Sequence, residues 1–90
     1  MEKLPSNAFF VVSLNYSDSG ADNIAPTIDV ARKQMSDYLQ ECRLRNIKGE
    51  IILKKVYILD YFNYTYQDFF DGLVDIEREI LIEKLTISFS

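Results

Sequence analysis

The 90-residue chain has no histidine, no tryptophan and a single cysteine, Cys42. Histidine is the commonest general base at neutral pH and the commonest transition-metal ligand. Without it, Ser-His-Asp and Cys-His nucleophile systems cannot be built within the chain. A structural zinc site needs about four Cys or His ligands, which Cys42 cannot supply alone. One cysteine forms no intramolecular disulfide and suits a reducing compartment. Long apolar runs are also missing. The five residues Ala8–Val12 fall short of the roughly 7–15 of a secretory signal, and nothing approaches the roughly 20 of a membrane helix. These absences lead to the expectation of a cytoplasmic protein with no cofactor, no bound metal and no membrane contact.

What is present is ordinary in amount: 48% hydrophobic and 27% charged residues, with no repeat, low-complexity tract or linker. That balance fits one globular domain over residues 1–90 and excludes a disordered chain or a disulfide scaffold. A chain this short buries about 60–65% of its unfolded surface, so its core leaves a thin margin that dimerisation would widen.

Along Ala8–Tyr16, Phe10, Val12, Leu14 and Tyr16 fall on one face at period two, which predicts a strand. Ser17–Asn23 has the composition of a loop. Ile28, Ala31, Met35, Tyr38, Leu39 and Cys42 then recur at helical spacing. Asn23 or Thr27 serves as cap, Pro26 and Asp29 suit the helix start, and Gly49 marks the stop. The spacing predicts a helix over 27–45.

Glu50–Phe62 is the richest strand signal, apolar on both faces and so covered on both. Thr65 with Asp68 resembles a capping box and opens a second predicted helix, on which Phe69, Leu73, Ile76 and Ile80 share a stripe. Leu85–Ser90 alternates as a half-buried strand. The order is then β-α-β-α-β, an α+β two-layer sandwich with both helices on one face of a small sheet. A right-handed crossover would make its first two strands parallel. In element order it resembles a ferredoxin-like fold short of one strand, a likeness that licenses no function.

Charge is uneven. Residues 32–55 set Arg32, Lys33, Arg43, Arg45, Lys48, Lys54 and Lys55 against Asp37, Glu41 and Glu50, a local +4. Residues 56–90 set Arg78 and Lys84 against seven acids, a local −5 within a chain of net −4. On the second predicted helix, Asp71, Asp75, Glu79 and Glu83 recur every fourth residue, with Asp68 one turn earlier. They form an acidic stripe of about 18 Å. Like charges at that spacing cost a few tenths of a kcal/mol each, so the stripe is either a solvated face or a dock for a basic protein partner.

Three further patterns bear on function. Two helices cover only one face of a three-stranded sheet, so the other would expose Tyr57, Leu59, Tyr61, Phe9 and Val11, an apolar patch suited to homodimerisation. Arg43, Arg45, Lys48, Lys54 and Lys55, followed by Tyr57, Tyr61 and Tyr64, hold the ingredients of a nucleic-acid surface. A pI near 4.6 argues against it. Asp18, Asp22 and Asp60 could serve a carboxylate enzyme only by converging in one pocket, which their spacing does not require. The expectation is a small non-catalytic, homodimeric binding module that presents an acidic helix to a protein partner and acts in regulation or inhibition. A nucleic-acid-binding accessory protein is the alternative.

Overall fold

The computed structural model describes residues 2–16 and 19–88. Strand β1 (Ala8–Tyr16) forms where its alternation predicts. The next segment departs from the expected loop, because Ser19–Ala25 is a second strand, β2, paired antiparallel with β1 from Tyr16↔Ser19 to Phe10↔Ala25. Its Ser, Gly, Asp and Asn have poor strand propensity. Position at a sheet edge, where only one neighbour must be matched, overrides that preference. Helix α1 (Ile28–Arg45) starts as predicted, with the Thr27 hydroxyl accepting from the Val30 N–H. It ends at Arg45 as the spacing predicts, but the residue that stops it is Asn46, not Gly49. Asn46 takes the left-handed conformation (φ 58°), and the Ile47 N–H donates to the Cys42 carbonyl at 2.9 Å.

Strand β3 (Gly49–Ile58) is shorter than the Glu50–Phe62 expectation and pairs antiparallel with β1, so the parallel arrangement is corrected. A 3-10 turn (Tyr61–Asn63) follows, then a single short helix, α2 (Tyr66–Phe70). Thr65 and Asp68 make the predicted capping box. The long second helix does not exist, however. Gly72 at φ 75° turns the chain, and Ile76–Ile87 becomes the edge strand β4. Ile76, Ile80, Ile82 and Ile87 are β-branched and favour that state. The sheet order is β2-β1-β3-β4, with every neighbouring pair antiparallel. The result is a four-stranded α+β domain, not the β-α-β-α-β order expected.

The helices lie on opposite faces. Val12, Leu14, Ile51 and Leu53 pack beneath Ala31, Met35, Tyr38 and Cys42 of α1. The alternate residues Phe9, Val11, Val56 and Ile58 face the other way, beneath Leu4, Val74, Tyr61, Tyr64, Tyr66 and Phe69. The N-terminal segment is strapped into this second layer, with Leu4 N–H donating to the Tyr64 carbonyl and Tyr66 N–H to the Glu2 carbonyl, each at 3.0 Å. This strap covers the face that two helices alone could not. Each fully buried side chain of the two layers contributes about 1.5–3 kcal/mol. Among the described residues, no helix is long and apolar enough to cross a membrane.

Candidate interaction surface

Among the described residues, strand β4 pairs with the sheet through β3 alone and leaves its outer edge open. It is twelve residues long, IEREILIEKLTI, and exposes Ile76 by 43%, Ile80 by 40%, Leu81 by 60% and Ile82 by 39%. Two register shifts against β3 leave Glu77 and Ile82 without a partner across the strand pair. Such bulges increase local twist and re-aim side chains. An open, apolar edge of this length is a template for pairing with another chain.

Register with β3 fixes which way each residue points. Arg78, Ile80, Glu83 and Leu85 stand opposite Tyr57, Lys55, Leu53 and Ile51, on the α1 face. Ile76, Glu79, Leu81 and Lys84 stand opposite Ile58, Val56, Lys54 and Ile52, on the other face. Helix α1 lies over β2, β1 and β3, and β4 joins that layer only through Leu85 and Ile87. A cleft of about 220 Å³ remains, lined by Arg32, Met35, Ser36, Leu39, Glu83 and Leu85. Drug-sized ligands need about 300–1,000 Å³, so this space suits one or two apolar side chains. Arg32 closes its rim with a 2.7 Å ion pair to Glu83.

The sequence-predicted residues are dispersed by the same geometry. Asp68 is occupied in the capping box, with its carboxylate accepting from the Thr65 N–H at 2.8 Å. Asp71 ends α2 and accepts from the Gln67 side chain, and Asp75 lies in the connection to β4. Glu79 pairs with Lys54 at 3.4 Å on one face, while Glu83 meets Arg32 on the other. No acidic stripe forms, because its residues span a helix end, a turn and both faces of a strand.

The dimer patch is corrected too. Phe9 and Val11 are buried at 0% and 2% exposure beneath the strap and α2, and Tyr61 is half-buried in the same layer. Leu59 remains exposed. Tyr57 lies on the α1 face, with the Arg78 guanidinium 4.5 Å and the Lys55 ammonium 5.2 Å from its ring centre. The Lys55 interaction and these charges lower the Tyr57 pKa from its ordinary 10.0, against a smaller upward push from desolvation.

The basic segment is likewise divided. Arg43, Arg45 and Lys48 are at the exit of α1, with Arg45 paired to Glu41 at 3.2 Å. Lys54 and Lys55 point to opposite faces of β3, and Tyr64 is packed into the second layer. No single face gathers them. Of the carboxylates, Asp18 lies outside the described residues. Asp22 stands opposite Ser13 on β2, and Asp60 sits past the far end of β3, so these two do not share a pocket.

Compared with known proteins, the chain matches no family model, no curated protein and no solved structure. The geometry therefore carries the functional argument. Among the described residues, no three acidic or thiol side chains gather as metal ligands would. The residues that sequence reasoning missed are Ile80, Leu81 and Ile82. Their signal was present as a β-branched and leucine run flanked by the charges Glu79, Glu83 and Lys84, the composition with which an edge strand is kept soluble.

Proposed function

We propose that this chain is a non-catalytic, cytoplasmic binding module that takes an extended segment of a protein partner as a fifth strand on β4, and regulates that partner by stoichiometric binding. The observation that carries the reading is the open β4 edge with Ile76, Ile80, Leu81 and Ile82 exposed along it. In strand addition, main-chain hydrogen bonds supply affinity and pockets for alternate side chains supply specificity. The cleft between α1 and β4 is such a pocket. Its floor of Met35, Leu39 and Leu85 takes an apolar side chain from the added strand, and Arg32 and Glu83 contact that strand's polar groups at the rim. Docking thus moves from the expected acidic helix to Ile80, Leu81 and Ile82.

Selection from a random linear-peptide library tests this. Bound peptides should be extended, carry an apolar residue and slow amide hydrogen exchange along 76–87. Leu81→Lys should weaken them at least tenfold, because it places a charge on the pairing edge while leaving both buried layers intact. Peptides that protect the exit of α1 instead, or bind Leu81→Lys equally well, would overturn the reading.

A further inference from the structure

We infer that the strand added to β4 is β4 of a second copy of this chain, in an antiparallel pairing centred on Leu81. This rests on β4 being the docking edge and names its occupant.

Charge selects the register. A twofold axis that places two β4 strands side by side runs perpendicular to the sheet, so residues opposed across it lie on the same face. The faces are those fixed by β3: Arg78, Ile80, Glu83 and Leu85 on one, Ile76, Glu79, Leu81, Lys84 and Thr86 on the other. Centring the pair on Glu79 or Glu83 opposes two carboxylates, and centring it on Lys84 opposes two ammonium groups. With the bulge residues Glu77 and Ile82 left unpaired, as they are against β3, centring on Leu81 opposes no like charges and gives the longest overlap among the registers that avoid them. Leu81 meets the second copy's Leu81, Ile76 meets Thr86, and Arg78 lays its stem on Leu85 beside the α1 cleft. Glu79 meets Lys84, and by symmetry Lys84 meets Glu79.

Those two residues already have partners on that face. Lys54 lies 3.4 Å from Glu79 and Glu50 lies 3.3 Å from Lys84. Self-pairing joins the two bridges into one row of alternating charge: Lys54, Glu79, the second copy's Lys84, the second copy's Glu50. Read face by face past its two bulge residues, β4 is thus complementary to its own reverse about its most exposed apolar residue. The pairing also covers Leu81, Ile82 and Ile80 in both copies.

The test is charge reversal read by sedimentation equilibrium. The wild type should exceed its 10.5 kDa monomer mass at tens of micromolar. Glu79→Lys opposes two lysines and Lys84→Glu two glutamates, so each variant alone should self-associate at least tenfold more weakly. An equimolar mixture of the two should recover association, because the heterodimer restores one attractive pair at each crossing. Leu81→Lys, which leaves all four charges in place, should also be monomeric, and circular dichroism verifies that each variant keeps its strands. A wild type that stays monomeric, variants that associate like wild type, or a mixture that does not recover would each overturn self-pairing. A monomeric wild type that still takes library peptides along 76–87 overturns self-pairing alone and leaves the binding-module reading standing.

Discussion

The Arg32 guanidinium reaches 2.7 Å to the Glu83 carboxylate, joining the first turns of α1 to the edge strand β4 across the mouth of the cleft. Both side chains are well exposed, at 55% and 36%, so water screens much of the attraction. Arg32→Ala should therefore cost less than about 1 kcal/mol in denaturant unfolding, while opening the cleft rim and changing which peptides are selected. A loss above about 2 kcal/mol would mean that the pair is structural rather than a gate to the cleft.

Phe9 sets the second layer. It is fully buried and meets Phe69 edge-to-face with ring centres 5.3 Å apart. Phe9→Ala should cost about 3–5 kcal/mol, a large part of the margin of a domain this small. Urea unfolding checks it. A near-neutral result would restore Phe9 to the exposed surface that the sequence first assigned it.

The strand state of 76–87 has its own signature. On a helix, relieving repulsion between Asp75 and Glu79 by Asp75→Lys would raise helicity. On the observed fold, Asp75 lies in a connection outside any helix, so the far-ultraviolet helical signal should not change. Thr65→Ala, by contrast, removes the hydroxyl that accepts from the Asp68 N–H at 3.1 Å and should cost about 1 kcal/mol. A helicity gain in the first variant would count against β4 as a strand.

Stability should decline on the alkaline side. Burial raises the Cys42 thiol above its ordinary 9.0 and the Tyr38 hydroxyl above 10.0; Asn23, which donates to that hydroxyl, opposes the second shift only in part. Both groups hold their protons more tightly folded than unfolded. Their contribution is thus complete below the unfolded values and is lost as pH rises from about 9 through the folded ones. Tyr57, shifted downward by Lys55, works in the opposite sense. Chemical unfolding from pH 8 to 11 checks this, and Cys42→Ala should flatten the early part of the decline. An unchanged profile would place the loss elsewhere.

Where an element's signal was local, the sequence disclosed it. Along Ala8–Tyr16 the face of Phe10, Val12, Leu14 and Tyr16 is apolar throughout because it packs in the α1 layer, and the Thr27 cap and Thr65–Asp68 box announce their helix starts. What was hidden depends on distant partners. β2 is a strand because β1 lies beside it, despite its composition. β4 looked helical because its bulges at Glu77 and Ile82 break the period of two, and because Phe69, Leu73, Ile76 and Ile80 fall by coincidence at helical intervals. Gly72 was the available warning. Gly49 resembles a helix stop in the sequence for a related reason. Its lack of a side chain serves a contact remote in sequence, since a Cβ there would collide with the Asn15 carbonyl oxygen where β3 begins against β1.

The single thiol also gives the domain a built-in reporter. Cys42 is wholly covered by α1 and the strands beneath it, so a thiol reagent can react only when that helix lifts away. With one cysteine in the chain, the labelling rate reads a single opening event, and its ratio to the rate of the unfolded chain yields the free energy of that opening. Comparing it with the free energy of global unfolding would show whether α1 detaches as a separate unit or only when the whole sheet comes apart.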